Sequence, residues 1–358
     1  MTSACSTGGL AVKLDALFYK YPISALLTPF SGAIATMKAT RFHGHGGPEV
    51  LTHEDVSEPT PGAGEVLLRL EASGLNYIDT YHREGLYPVD LPCIPGVEGA
   101  GIVIGLGEGV SGVSEGDRVG FAGAMGSYAE QIAVPADRLI PLPQGCTTED
   151  AAAVLLQGMT AHYLVHGSYK LGPDDTALVH AAAGGVGLLL VQMAKRRGAR
   201  VIGTVSTPEK EALAREAGAD EIIRYTEVDF ETETRRLTDD AGVDVVYDSV
   251  GLTTFDAGLR LLKPLGTMVL FGQSSGPVPA VEPQRLSAEG SLFLTRPTMA
   301  HYILTRQALL DRAGEVLNWV AAGELSVRVG ARYSVAEAGD AHRALQARQT
   351  TGKVLLLP

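Results

Sequence analysis

The stretch Asp174-Asp-Thr-Ala-Leu-Val-His-Ala-Ala-Ala-Gly-Gly-Val-Gly-Leu-Leu-Leu-Val-Gln-Met-Ala-Lys-Arg-Arg-Gly198 decides the fold. The apolar run Ala177 to Ala181 predicts a strand. Ala182-Ala183-Gly184-Gly185-Val186-Gly187 predicts a turn, and Leu188 to Ala194 predict a helix with Lys195, Arg196 and Arg197 on its last turn and Gly198 as its stop. A strand that meets a helix at glycines lets a phosphate approach backbone N–H groups where the helix dipole favours an anion. The G-x-G-x-x-G frame falls on Ala182, Gly184 and Gly187, with alanine first, so the motif alone is weak and the flanking strand and helix carry the reading.

Outward from this turn the chain reads as alternating strands and helices, the pattern of a parallel sheet. Val201 to Val205, Glu221 to Tyr225, Val243 to Asp248, Thr267 to Phe271 and Ser291 to Leu294 are the expected strands. Ser206 or Thr207 caps a helix that ends before Gly218. Upstream, Lys38 to Ala136 alternates short β-like runs (Glu65 to Glu71, Gly99 to Ile104, Arg118 to Ala122, Tyr128 to Val134) with turn clusters, which predicts a compact β-barrel. Ala151 to Leu156 and Ala161 to His166 are helical. A helix from about Ala300 to Ala322 and the run Lys353 to Leu357 are expected to return to the first domain.

The chain of 358 residues, 45% of them hydrophobic, suits two domains. Its 41 acidic against 29 basic residues, a formal charge of −12 with no basic stripe, argue against nucleic acid as primary partner. Three cysteines, Cys5, Cys93 and Cys146, cannot pair evenly, which fits a reduced, cytoplasmic setting. Residues 1–36 hold apolar runs broken by Lys13, Asp15, Pro22 and Pro29, which rules out a membrane span there and a secretory core. They read as a disordered extension or a misplaced start before Met37, with a targeting segment as the alternative.

Dinucleotide sites that take NAD place Asp or Glu at the end of the second strand to bind the ribose. This chain has Ser206 there, with Lys210 four residues on and Tyr225 closing the next strand. An uncharged residue beside a cation suits a 2′-phosphate, so the cofactor reads as NADPH; the alternative makes Lys210 a solvated helix residue and Tyr225 an ordinary strand aromatic.

With HAAAGGVG flanked by Asp174, Gln192 and Lys195, together with GLNYIDTYHREGLYP, VVYDSVG, FGQSSG and LTRP in order along residues 37–358, the chain resembles the quinone oxidoreductase, or zeta-crystallin, branch of the medium-chain dehydrogenase/reductase superfamily. The resemblance implies an α/β protein in which a GroES-like β-barrel catalytic domain, 37–160 and again 297–358, surrounds a Rossmann NADPH-binding domain, 161–296. It places Ser206, Lys210, Tyr225 and Arg348 at the 2′-phosphate, Gly185 and Val186 against the pyrophosphate, and Ser249 near the adenosine. Thr160, Gly272, Ser274 and Leu294 would frame the nicotinamide half, with strand-end packing as the alternative for Ser274 and Leu294. Asn76, Asp79, Tyr81 and Tyr87 would line the substrate cleft.

Zinc enzymes of the same superfamily use a cysteine where this chain has Asn76 and a histidine where it has Val97, and the four-cysteine lobe of structural zinc has no counterpart, so no metal is expected. His43, His45 and His53 read as surface polarity. Without zinc to polarise a carbonyl, the chemistry points to electron-poor acceptors, quinones first and enones or alkenals second. Tyr81 and Tyr87 are candidate hydrogen-bond donors or, alternatively, an aromatic wall without a proton role. A non-enzymatic NADPH-binding protein, crystallin-like or RNA-binding, is the other class open to the family. The resemblance also implies a homodimer joined through an unpaired sheet edge, expected at Thr267 to Phe271, which is apolar and uncharged.

Overall fold

A computed structural model describes residues 35–358. All but the last two residues of the segment 1–36, and Cys5 with it, lie outside that range. From Ala35 to Pro358 the chain forms one compact unit.

The barrel half contains β1 (Thr36–Arg41), β2 (Thr52–Ser57), β3 (Glu65–Leu75), α1 (Tyr77–Glu84), β4 (Glu98–Leu106), β5 (Arg118–Ala122), β6 (Gln131–Pro135) and β7 (Ile140–Pro141), followed by α2 (Thr148–Tyr163). The dinucleotide half contains β8 (Thr176–Val179), α3 (Gly185–Arg196), β9 (Arg200–Val205), α4 (Pro208–Glu216), β10 (Glu221–Arg224), α5 (Phe230–Leu237), β11 (Val243–Asp248), α6 (Phe255–Arg260), β12 (Leu262–Leu270), α7 (Pro283–Ala288) and β13 (Phe293–Thr295). The chain then returns through α8 (Met299–Tyr302), α9 (Arg306–Ala321), β14 (Val329–Ser334), α10 (Ala338–Gln346) and β15 (Lys353–Leu357).

Three sheets result. β1 and β2 form an antiparallel pair, and β10-β9-β8-β11-β12-β13 form a six-stranded sheet whose pairings are all parallel. The third has seven strands in the order β14-β15-β3-β4-β5-β7, with β6 paired to β3. The last strand therefore sits between β14 and β3, which makes the barrel sheet discontinuous in sequence, as the resemblance implies. β11 and β8 are buried on both faces, with Val245, Val246, Tyr247, Ala177, Leu178 and Val179 at 0% exposure, because helices cover a parallel sheet on each side.

Three expectations change, and one pair of alternatives, the cap of α4, is narrowed to a single residue. The two helical stretches after Thr148 are one helix, α2, continued by a π-turn over Leu164–Ser168, so the expected boundary at 160/161 falls inside a continuous helix. The helix expected over 300–322 is two, α8 and α9, with Thr305 capping the second by accepting from the Ala308 N–H. Thr207, not Ser206, caps α4, accepting from the Lys210 N–H. Finally, Thr267 to Phe271 is not a sheet edge. β12 pairs with β13 in register Thr267↔Phe293, Met268↔Leu294 and Val269↔Thr295, and the short β13 is the edge.

Candidate active site

At the glycine turn β8 ends in Val179, and Ala181 takes a left-handed φ of 53° that lets the Gly184 N–H bond back to the Ala181 carbonyl at 2.9 Å. Gly184 caps α3 without a side chain, so no capping side-chain oxygen bonds the first N–H groups of the helix, at Gly185, Val186 and Gly187. Gly187 lets strand and helix meet: a Cβ there would lie 2.2 Å from the Ala181 carbonyl oxygen. A Cβ on Gly185 would lie 2.1 Å from the Gln157 side chain. The turn is also met by the C-terminal segment, through the Gly352 N–H to the Ala183 carbonyl at 3.1 Å and a parallel bridge between Gly184 and Gly352.

That contact carries Arg348 to the end of β9. Lys210 donates from Nζ to the Arg348 carbonyl at 2.6 Å, and the Tyr225 N–H donates to the Val205 carbonyl. Thr226 Oγ1 holds the Ser206 carbonyl at 2.9 Å. Burial and the facing Arg348 guanidinium both lower the pKa of Lys210. Two cations facing one another beside Ser206 and Tyr225 form a place that a phosphate would relieve. Ser249, Gly272 and Ser274 also converge: the Phe271 and Gly272 N–H groups bond the Asp248 carbonyl, the Ser274 N–H bonds the Ser249 carbonyl, and a Cβ on Gly272 would lie 2.6 Å from that same Ser249 oxygen. Thr160 is buried on α2 with its hydroxyl turned back to the Leu156 carbonyl. Leu294 sits on β13, partly buried against the core around Leu178, Val246 and Leu292, the strand-packing alternative.

The four cleft residues separate into two pairs. Tyr81 and Tyr87 face each other edge-on, ring centroids 5.4 Å apart, and Tyr81 Oη accepts from the Gln273 N–H at 3.3 Å, tying α1 to the dinucleotide half. Burial pushes the Tyr81 hydroxyl up to about 12, so it stays protonated. Asn76 and Asp79 are instead buried and committed to other partners. Asn76, 4% exposed, spends its amide on Glu98 and Gly74 as donor and on Gln157 and Lys353 as acceptor. Asp79 is fully buried, accepting from the Asn76 N–H and from Tyr128 Oη, each at 2.9 Å. Sequence reasoning could not separate the pairs because all four sit within one turn or two of α1 and its approach.

Sequence reasoning also missed several groups. Arg296, inside the quoted LTRP, points Nη2 at Tyr87 Oη at 3.5 Å and adds a cation to the cleft. Glu98 and Lys353 form a fully buried ion pair beside Asn76, joining β4 to β15. Tyr128 and His342 stand behind Asp79.

These residues do not compose a zinc site. Val97 offers no donor, the Asn76 amide is committed four times, and Glu98 is neutralised by Lys353. His43 pairs with Glu54, His53 with Thr40 and His45 lies against Phe42, so the three histidines do not converge. Among the described residues no group of three or more His, Cys, Asp or Glu is placed to hold a metal. A separate groove of about 950 Å³, lined by Val110, Val113, Leu139 and Arg306 among others, contains none of the candidate site residues.

Residues 62–144 match the alcohol dehydrogenase GroES-like domain and residues 185–321 the family described as zinc-binding dehydrogenase. The chain is 45% identical over 323 residues to the quinone oxidoreductase of Pseudomonas aeruginosa, covering 90% of this chain and 99% of the relative. The chain belongs to the quinone oxidoreductase family. A solved Escherichia coli quinone oxidoreductase, described as complexed with NADPH, superposes with a TM-score of 0.88 at 42% identity, covering 90% of this chain and all of that one. A 2-haloacrylate reductase from a Burkholderia species is 40% identical over 330 residues, covering 89% of this chain and 98% of the relative.

Proposed function

We propose that the protein reduces quinones with NADPH in a cleft between the barrel and dinucleotide halves, using no zinc. The observation that carries the cofactor is the pair Lys210 and Arg348, brought together beside Ser206 where an NAD site would place a carboxylate. NADPH supplies the reducing equivalents when bound. The first N–H groups of α3 bind the diphosphate, Lys210 and Arg348 hold the 2′-phosphate, and Ser249, Gly272 and Ser274 border the path between them. Tyr81 and Tyr87 wall the acceptor, exclude water and offer hydroxyl protons to the oxygen on which charge develops, with the Arg296 cation beside them.

The relative named for 2-haloacrylate, together with Arg296, favours reduction of an activated C=C bond as the second reading. NADPH oxidation by the purified protein with a panel of quinones and enones decides between them. Turnover of quinones is expected; turnover of enones alone replaces the first reading by the second. The protein acts in the cytoplasm as a homodimer joined through β13, a reading supported by buried free Cys93 and Cys146 and by the exposed Phe293 on that edge. No helix among the described residues is long and apolar enough to cross a membrane.

A further inference from the structure

α1 carries the tyrosine wall on one side and buries charge on the other. Arg83, on its last turn, is 0% exposed and donates from Nη1 to His342 Nδ1 at 3.0 Å. A guanidinium can only donate, so His342 Nδ1 accepts and the ring proton sits on Nε2. Nε2 lies 3.0 Å from Tyr128 Oη, which therefore accepts from His342 and donates its own O–H to Asp79 Oδ2 at 2.9 Å. Three hydrogen bonds thus run in one direction, from the guanidinium on α1 through α10 to the carboxylate at the other end of α1. They reach the surface at Gln346 and Glu84, both bonded to Arg83.

The charged and titratable groups around Asp79 are Lys353 from β15, Glu98 from β4, Tyr128 from the segment before β6, Arg83 behind His342 of α10, and Cys93. Lys353 is paired with Glu98 and Arg83 with Glu84, so an ionised Asp79 is the carboxylate of the cluster left without a cation of its own, and its protonation leaves the two ion pairs balanced. Asp79 Oδ1 is buried without a protein partner among the described residues and is the atom free to take the proton. Burial pushes this carboxyl up to about 7, against the pull of the Asn76 N–H, Tyr128 and Lys353. His342 is pushed down to about 3 and Cys93 up to about 11, so both stay neutral while Asp79 titrates.

We propose that Asp79, Tyr128, His342 and Arg83 form a positioning relay that couples the charge of Asp79 to the seating of α1, and through it to the fit of Tyr81 and Tyr87 around the acceptor. None of the four touches substrate. An ionised Asp79 caps the start of α1 through the Asn76 N–H and favours its dipole; the protonated form loosens that cap and the bond from Tyr128. α1 then shifts against the Tyr81–Gln273 contact, and acceptor binding weakens.

The inference rests on the cleft assignment above, and its test is built to fail separately. With the full chain and saturating NADPH, kcat/KM for a quinone should fall by about three- to tenfold as pH drops through about 7, while KM for NADPH stays flat. Asp79→Asn should remove the inflection, and Tyr128→Phe, which takes a donor from the carboxylate, should move it to higher pH. An inflection that stays in place in both variants, or in Tyr128→Phe alone if Asp79→Asn does not fold, overturns the proposal. Melting temperature gives a readout without turnover. Asp79 holds its proton more tightly when folded, so that stabilisation is complete below the unfolded carboxylate range and is lost as pH rises through about 7. The parent protein should therefore lose stability relative to Asp79→Asn over that interval, and Tyr128→Phe, whose carboxyl keeps its proton to higher pH, should go on losing stability relative to the parent above about 7. A constant difference overturns the relay, whereas a pH-dependent difference without any quinone turnover supports the relay and overturns the functional reading.

Discussion

The proposed cofactor choice turns on one side chain, Lys210. Its ammonium is held by the Arg348 carbonyl, partly desolvated and under the charge of the Arg348 guanidinium, so an anion beside it would be favoured. Lys210→Ala should weaken NADPH binding by about 1.5–3 kcal/mol, one to two decades in Kd, and leave NADH nearly unchanged. Titration of both cofactors checks this, and equal losses would place Lys210 outside the 2′-phosphate site. The placing of Ser206 and Lys210 at the end of β9 was legible because they lie within five residues of that strand end, whereas the meeting of Arg348 with Lys210, 138 residues apart, has no local signal and was reached only through resemblance. Asn76 and Asp79 mark the opposite limit: as sequence they are polar residues beside two tyrosines, and nothing local says that Glu98, Lys353 and Tyr128 claim them first.

Among the elements, the β8–turn–α3 unit was readable nearly complete, since its apolar runs, glycines and terminal cations are all short-range signals. Its glycines are not equivalent. Gly187→Ala drives a methyl into the Ala181 carbonyl, which is backbone and cannot step aside, and should cost roughly 1–3 kcal/mol of stability. Gly314→Ala on α9 meets nothing within 4 Å and should instead stabilise by about 0.5–1 kcal/mol. Thermal melts of the two variants, moving in opposite directions, check both. β12 and β13 were read less well: a strand was expected at Ser291 to Leu294 and forms at Phe293–Thr295, but its pairing outside β12 leaves no local signal, so the edge was assigned one strand too early.

For the whole molecule, the proposed assembly turns on the edge strand. β13 exposes 61% of Phe293, and its three residues carry no charge. Sedimentation should give twice 37.5 kDa, and Phe293→Glu should return the mass to that of one chain without lowering the melting temperature much. A single-chain mass for the unaltered protein would remove the dimer. The same long reach organises the interior, where β15 returns to the barrel beside β3 and carries Lys353 to Glu98 across 255 residues of sequence. Removing either partner would strand a buried charge, so this ion pair ties the chain's end to the barrel core.

What the sequence determined by itself is local. Strand and helix periods, the glycine turn, and the uncharged strand end with a cation after it all act within a few residues, where propensity and spacing set the outcome. What only the tertiary structure decided is burial and pairing between distant segments. Asp79 meets Tyr128 49 residues away, Tyr128 meets His342 214 residues further on, and Arg83 meets the same imidazole across 259. Whether a polar side chain faces a cleft or a buried network depends on which distant donors reach it first, because an unpaired buried group costs more than any local preference returns.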